Sequence, residues 1–298
     1  MKIKIVGAMT ALNEEEWIEE SLRRKLAYLD KVVIAEGAVV GHPGKLSDGC
    51  HSSDRTLEIL KELEKEYSNL EVISINRKWK SKQEQQMSTL KKAKDGDWIL
   101  LSSPDEFWPD SFRENIENLI RGFPIMKEFI FPVLNLVDGA KYALVDPKTH
   151  WVADNVRHHQ HFFQFQKGMF YVNHPTINDS KNRDVFTHPD YAPYRKYIKY
   201  IPYNHYCYCA KIENQIRKRI YYFLRDGNKS MEKAIDIVRR KLDTVGYFYP
   251  NSGIQIKMLY RRTHPLQYRK FNDKYIPENI DWDAISEELS TFKEIPKK

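Results

Sequence analysis

The sequence predicts an α/β fold in which a mostly parallel central sheet carries helices on its faces. Over the first 125 residues, short apolar runs alternate with stretches that repeat apolar residues at helical spacing. Acidic or capping residues begin several of these stretches, as is typical of helix amino termini. Because parallel strands need crossover helices between them, this alternating order favours a parallel sheet.

The elements of this half follow one another without a long irregular segment. The predicted strands are residues 3–9, 31–35, 70–75 and 98–101. The predicted helices are residues 14–22, 57–67, 83–94 and 109–120. The second half is richer in aromatic residues and less regular. It has predicted strands at 129–134 and 168–172, a helix at 211–224, and a further helix that Ser230 caps.

The composition indicates a soluble protein. The chain has 298 residues, of which 41% are hydrophobic, enough for one large core or one core with a smaller lobe. No window approaches 18 uninterrupted apolar residues, and the amino-terminal region lacks the long apolar segment of a signal peptide. Three cysteines without framework spacing argue against a disulfide scaffold. We therefore expect no transmembrane segment and a cytoplasmic location.

Charge is unevenly distributed between the two halves. The formal net charge is +7, with residues 1–150 contributing −3 and residues 151–298 contributing +10. A basic half of this kind suits an anionic partner: a nucleoside diphosphate, a nucleic-acid backbone or an acidic membrane surface. A merely solvated basic surface is the plain alternative.

Two adjacent carboxylates follow the fourth predicted strand. Asp105 and Glu106 come four and five residues after Leu101, where the apolar run ends. In parallel sheets, ligands bind at the carboxyl ends of the strands. Carboxylate oxygens are the ligands that Mg²⁺ and Mn²⁺ prefer. The sequence therefore predicts a site at this end of the sheet, against the alternative of an acidic turn before the helix at 109–120.

Five segments in order resemble family 2 glycosyltransferases of the GT-A fold. They are "TALNEEEWIEESL" (10–22), "KVVIAEG" (31–37), "SSDRTLEIL" (52–60), "QEQQMSTLKKAKDGDWILLSSPDEFW" (83–108) and "YNHYCYCAKIENQIRKRIYYF" (203–223). The resemblance implies a GT-A fold and an enzyme that is a hexosyl- or pentosyltransferase. It also implies a nucleoside-diphosphate-sugar donor, with a UDP-sugar favoured, a divalent cation, and inversion at the anomeric carbon.

The resemblance implies a nucleotide-binding role for the first strand ends. The loop after the first strand would hold the nucleoside through Thr10, Ala11, Asn13 and Glu14. Glu36 stands where the family usually has an aspartate that contacts the base. The segment 37–51 that follows is an insertion, either a specificity loop or an inert surface loop.

The resemblance also implies a metal site. Ser103, Pro104 and Asp105 occupy the place of the family's Asp-Ala-Asp, with Asp105 as metal ligand and nucleotide contact. Serine replaces the first aspartate, and its hydroxyl can still bond a ribose hydroxyl. His205 resembles the family's carboxyl-terminal histidine, and an imidazole ligand favours Mn²⁺ over Mg²⁺.

An inverting transfer also needs a base to deprotonate the acceptor hydroxyl. Among several aspartates on the acceptor side, Asp179 is our candidate, with His174 as its neighbour. On this interpretation residues 1–125 form the nucleotide-sugar-binding GT-A half. Residues 126–210 form the acceptor-side region, and residues 211–298 a basic helical extension.

The sequence does not identify the acceptor of the sugar. A polysaccharide, a lipid-linked sugar, a protein and a modified base in DNA, such as a hydroxymethylated one, are the candidates. The basic second half makes the DNA acceptor worth testing. Two other functions compete. A nucleotidyltransferase would normally carry a glycine-rich loop with a basic residue after the first strand, which "AMTALNEEE" (8–16) lacks. A non-catalytic nucleic-acid-binding protein suits the basic, tyrosine-rich region 191–222 but leaves the ordered motifs unexplained.

Overall fold

The computed structural model describes the central sheet, the site and parts of the carboxyl-terminal region. The described residues are 3–42, 46–137, 142–145, 162–173, 176–198, 201–206, 215–217, 219–220, 223–224, 230–245, 256–259 and 282.

The central sheet has seven strands, and its parallel core contains four of them. These are β1 (Ile5–Ala11), β2 (Lys31–Glu36), β5 (Leu70–Ser74) and β6 (Trp98–Ser102), in the spatial order β6-β1-β2-β5. All three pairings among them are parallel. The prediction of an α/β fold with a mostly parallel sheet flanked by helices is confirmed.

Three strands extend this sheet beyond β6. They are β11 (Phe162–Gln164), β8 (Glu128–Ile130) and β14 (Arg195–Tyr197), in that order outwards. β11 runs antiparallel to both of its neighbours, and β14 pairs with β8 in parallel. The sheet is therefore parallel where the first 102 residues form it and mixed where the second half completes it.

Four helices connect or follow the parallel strands. They are α1 (Ile18–Tyr28), α2 (Thr56–Glu66), α3 (Lys82–Leu90) and α4 (Phe112–Gly122). α1 begins later than predicted, because the chain first makes a turn in which Trp17 N donates to Glu14 O at 2.9 Å. α3 begins at a serine cap, where Ser81 Oγ accepts from Glu84 N at 3.1 Å.

Residues of β1 alternate between two apolar layers. Ile5 and Met9 belong to a core shared with apolar side chains of α1, α2 and α4. Val6 and Ala8 belong to a second core on the other face, where Leu90 of α3 packs. Burial on both faces explains why the strand is a continuous apolar run rather than an alternating one.

A second sheet stands beside the first, with its strands in the order β16-β10-β9-β15-β7. These are β7 (Glu106–Phe107), β9 (Val133–Val137), β10 (Tyr142–Val145), β15 (Tyr203–His205) and β16 (Ile256–Leu259). The single strand predicted at 129–134 is wrong: β8 ends at Ile130 in the first sheet, and β9 begins at Val133 in the second. Pro132 lies at the break, where its missing N–H cannot enter a ladder.

Two short antiparallel pairs complete the strands. β3 (Leu46–Ser47) pairs with β4 (His51–Ser52) at the end of the predicted insertion. β12 (Phe170–Asn173) pairs with β13 (Thr176–Asn178). β12 begins two residues later than predicted because Gly168, at φ 94°, is in a turn that favours glycine.

The carboxyl-terminal region is described in part. α5 (Met231–Val245) begins at the predicted cap, where Ser230 Oγ accepts from Lys233 N at 3.3 Å. The described residues between 215 and 224 have helical backbone, as predicted. Among the described helices, none has the length and apolar character needed to span a bilayer. The division into three regions stays a prediction.

Candidate functional site

The carboxyl ends of three parallel strands meet at one edge of the central sheet. Ala11, the last residue of β1, lies opposite Glu36, the last residue of β2. Met9 of β1 lies opposite Ser102, the last residue of β6. The loops that follow these strands therefore lie side by side, and they carry residues that the sequence analysis assigned to the site.

The turn after β6 connects the two sheets. β6 ends at Ser102 in the central sheet, and β7 begins at Glu106 in the second sheet. The side chain of Glu106 shapes the turn between them, since its Oε2 accepts from Ser103 N at 3.0 Å and from Ser102 Oγ at 3.1 Å. The carboxylates of Asp105 and Glu106 thus differ in role: Glu106 holds the backbone of the turn.

The second sheet brings His205 to Asp105 across 100 positions of sequence. β15 pairs with β7 so that His205 lies opposite Glu106, and Tyr206 N donates to Asp105 O at 2.9 Å. His205 Nε2 lies 3.6 Å from Asp105 Oδ2. The side chains of both residues are almost fully buried, 13% exposed for His205 and 3% for Asp105.

Asn135 of the neighbouring strand β9 orients this histidine. Its Oδ1 lies 2.8 Å from His205 Nδ1. An amide oxygen only accepts, so this contact places a proton on Nδ1 and leaves Nε2, the nitrogen nearest Asp105, as the one that could bind a cation. Asn135 is itself buried, with 4% exposure, and its place opposite His205 in the parallel β9–β15 pair fixes the contact.

The donor set of this pair fits a hard divalent cation. A carboxylate oxygen and an imidazole nitrogen 3.6 Å apart can share one ion, because two metal–ligand bonds of about 2.1 Å span that separation. A buried hydrogen-bond partner on the other ring nitrogen is the usual support of a metal-ligating histidine. Within the described residues, no cluster of three or more His, Cys, Asp or Glu side chains could hold a metal.

The loop after β1 is fixed by the segment 52–56. Asn13 N donates to Ser52 Oγ at 3.0 Å, and Glu14 N donates to Thr56 Oγ1 at 2.7 Å. In return, Asn13 Oδ1 accepts from Ser53 N at 2.8 Å. Asn13 has φ 54°, a left-handed conformation that asparagine tolerates better than most residues. These hydrogen bonds thus join two of the sequence motifs, the loop after β1 and the segment 52–56.

Thr10 lies beside a lysine that the sequence analysis did not single out. Lys82, the first residue of α3, donates from Nζ to Thr10 Oγ1 at 2.6 Å and to Gln85 Oε1 at 3.1 Å. Gln85 is buried and donates to the carbonyls of Ala35 and Gly37. A cation therefore lies at the carboxyl end of β1.

Glu36 is fully buried, with 0% exposure. Its Oε1 accepts from both the backbone N and the hydroxyl of Ser52, each at 2.8 Å. Its Oε2 lies 2.9 Å from Nδ1 of His51. The carboxylate expected to contact a base therefore supports β4, which in turn holds the loop after β1.

Asp179, the candidate base, is engaged in a turn of its own. Its Oδ1 accepts from the backbone N of Lys181 and of Arg183, both at 2.9 Å, and its Oδ2 accepts from Arg183 Nε and the Tyr191 hydroxyl, both at 2.8 Å. Burial alone would raise the pKa of Asp179, but these hydrogen bonds outweigh it and hold the pKa well below its usual range. These contacts favour a structural role. His174 lies outside the described residues.

Replacing Asp179 by asparagine tests that structural role. We expect Asp179→Asn to lower the free energy of unfolding by about 1–3 kcal/mol at neutral pH, because charged hydrogen bonds are lost. The pKa of Asp179 is depressed in the folded state. The difference in free energy of unfolding between wild type and variant is therefore full above about pH 4 and shrinks as the pH falls further. Chemical denaturation at several pH values measures it. Unchanged stability with a loss of turnover of 100-fold or more would instead identify Asp179 as the base.

Two further side chains of the site escaped the sequence analysis. Asn135 lies in a strand whose start was misplaced, so no sequence signal connected it with His205. Lys25 did leave a signal, because it follows Ile18 and Leu22 at helical spacing on the buried face of α1. Its ammonium group contacts the backbone of the Ser103–Glu106 turn.

Comparison with known proteins gives structures but no family. No family model matches the chain, and no curated protein matches it. Solved structures do match. S. aureus TarS 1-349 has a TM-score of 0.46 at 12% identity, covering 82% of this chain and 73% of that one. The same protein in complex with UDP gives the same TM-score and identity, with 82% and 74% coverage.

A mannosyltransferase structure matches to the same degree. The mannosyltransferase PcManGT from Pyrobaculum calidifontis, in complex with GDP-Man and Mn²⁺, has a TM-score of 0.45 at 12% identity, covering 83% of this chain and 76% of that one. Likeness at this level says nothing about the donor, the metal or the acceptor of this chain.

Proposed function

We propose that the protein is a metal-dependent glycosyltransferase that moves a sugar from a nucleoside-diphosphate sugar, preferentially a UDP-sugar, to an acceptor hydroxyl with inversion. The observation that carries the proposal is the Asp105–His205 pair. It lies at the carboxyl-terminal edge of a parallel sheet, with the two donor atoms 3.6 Å apart. The ordered sequence motifs around that edge support the same function.

Asp105 and His205 would hold a divalent cation, Mn²⁺ in preference to Mg²⁺. Bound there, the ion would neutralise the negative charge that develops on the diphosphate leaving group. Asn135 keeps the proton of His205 on Nδ1 and so keeps Nε2 basic toward the site. Glu106 fixes the turn that presents Asp105.

The nucleoside would lie against the loop after β1. Thr10, Ala11, Asn13 and Glu14 line the end of β1, and the hydrogen bonds of Asn13 and Glu14 to residues 52–56 hold the loop in place before the ligand arrives. Such preorganisation reduces the ordering cost of binding. Partly exposed Ser103 and its neighbour Pro104 would contact the ribose side. Glu36 supports this loop indirectly, through its hydrogen bonds with Ser52 and His51.

The net charge of +10 in residues 151–298 supports an anionic acceptor or surface. DNA that carries a hydroxymethylated base meets that description, as does a polysaccharide or a lipid-linked sugar that bears acidic or phosphate groups. A DNA acceptor predicts binding to duplex DNA that weakens steeply with added salt. An affinity for duplex DNA that does not change with salt concentration would exclude DNA as the acceptor.

A thermal-shift panel tests the donor site. UDP-, GDP-, CDP- and TDP-sugars are screened with Mn²⁺, with Mg²⁺ and with a chelator. A ligand at 100 times its dissociation constant stabilises the protein by about 2.7 kcal/mol, which is a readable shift. We expect metal-dependent stabilisation by one nucleotide, with the UDP-sugar strongest. No stabilisation by any of the four would contradict the proposal.

A further inference from the structure

The ammonium group of Lys25 lies beneath the turn that carries Asp105. Lys25 is in α1, and only 1% of the residue is exposed. Its Nζ donates to Glu106 O at 2.7 Å and to Ser103 O at 3.2 Å. The third contact of Nζ is the hydroxyl of Ser21, one helical turn earlier and equally buried.

The burial of the Lys25 ammonium group is energetically unfavourable. Burial lowers the pKa of Lys25 to about 8, while the negative charges of Glu106 and Asp105 act in the opposite direction. A buried ammonium is tolerated only when hydrogen bonds compensate for its lost hydration. Here two of the compensating acceptors are carbonyls that flank Asp105, one residue after it and two residues before it.

We propose that Lys25 is a positioning residue for the metal ligand Asp105. It ties together the two ends of the Ser103–Glu106 turn, whose own closing hydrogen bond, from Glu106 N to Ser103 O, is long at 3.2 Å. The carboxylate of Asp105 is thereby held toward His205. This role rests on the proposed metal-dependent function.

Electrostatics and positioning predict opposite effects for the loss of Lys25. A positive charge close to Asp105 repels a bound cation, so removing the charge alone would strengthen Mn²⁺ binding. Removing the tie instead frees the turn, and loss of a supporting partner of a metal ligand typically weakens metal affinity by about 10–100-fold. The sign of the change therefore separates the two explanations.

The experiment measures Mn²⁺ affinity by electron paramagnetic resonance, with and without UDP, in wild type, Lys25→Met and Lys61→Met. Methionine keeps an unbranched apolar side chain, one atom shorter than that of lysine, without its donors. Lys61 is an exposed lysine of α2 and serves as the matched control. We expect Lys25→Met to bind Mn²⁺ about 10-fold more weakly in the presence of UDP. The Mn²⁺ affinity of Lys61→Met should differ from that of wild type by less than twofold. The affinity of Lys25→Met for UDP without metal should also change by less than twofold.

Ser21→Ala provides a second variant in case Lys25→Met does not fold. It removes one of the three acceptors of the ammonium, and we expect a two- to fivefold loss of Mn²⁺ affinity. Folded Lys25→Met that binds Mn²⁺ as tightly as wild type, or more tightly, overturns the proposal. So does unchanged affinity in Ser21→Ala if Lys25→Met fails to fold. Failure of the wild type itself to bind Mn²⁺ with UDP or GDP overturns the proposed function, and the role of Lys25 with it.

Discussion

Replacing Asp105 by asparagine is expected to reduce sugar transfer by about 100- to 1000-fold, the usual loss for one group that stabilises developing charge. The neutral amide keeps the shape of the side chain but is a weak ligand for a hard cation. The backbone bond from Tyr206 N to Asp105 O does not involve the side chain, so the fold should persist. The release of nucleoside diphosphate from a UDP-sugar, with saturating Mn²⁺, measures the effect.

Asp110→Asn is the matched control for this experiment. Asp110 lies five residues further on, its side chain is 85% exposed, and it pairs with Arg24 at the surface. An exposed ion pair of this kind contributes about 0–1 kcal/mol. Its loss should leave turnover unchanged. If Asp105→Asn kept half of the wild-type turnover or more, Asp105 could not be the metal ligand.

Replacing Glu36 by alanine is expected to lower the free energy of unfolding by about 3 kcal/mol or more. The change removes the acceptor of three buried donors, the backbone N and hydroxyl of Ser52 and the ring of His51. Each buried donor left unsatisfied costs about 1–3 kcal/mol. In a chain of this size the melting temperature should fall by roughly 6–12 °C. Differential scanning calorimetry measures it.

This result separates two roles for Glu36. In the structure it supports β4, so nucleotide affinity should fall only as the loop after β1 loosens with it. Glu58→Ala is the control, because Glu58 is 56% exposed in an i, i+3 pair with Arg55 and its loss should cost little. A stable Glu36→Ala protein with selectively weakened UDP binding would mean that Glu36 contacts the base directly, as the sequence resemblance implies.

The parallel half of the fold was predictable because its signals are local. Apolar runs such as 31–35 and 98–101 lie in strands buried on both faces, and helices with one apolar stripe separate them. The rule that ligands collect at the carboxyl ends of parallel strands then placed Asp105 at the site edge. Helix starts were less accurate, as in α1, because the turn before it also contains helix-favouring acids.

The second sheet was not predictable in the same way. Its strands are short and come from distant parts of the chain, and residues 129–134 divide between two sheets at a proline. The pairing of β7 with β15 decides that His205 reaches Asp105, and no local pattern encodes that pairing. Asn135 depends on the same long-range register.

Local turn chemistry explains why Asp179 resembled a functional residue. An aspartate near a strand end is typical of a site, but it is equally typical of a turn that it caps. Arg183, four residues later, forms both a backbone and a side-chain bond with it. Lys25 shows the reverse case, since a lysine among apolar positions of a helix marks a buried contact that sequence periodicity can reveal.

The most direct test of the central claim is a calorimetric titration of UDP and GDP into the wild-type protein, with Mn²⁺ and with a chelator. The claim is that Asp105 and His205 hold a cation at the nucleotide site. We expect at least 10-fold tighter binding of one of these nucleotides when Mn²⁺ is present, because the ion bridges the protein to the diphosphate. Equal affinity with and without the metal would contradict it.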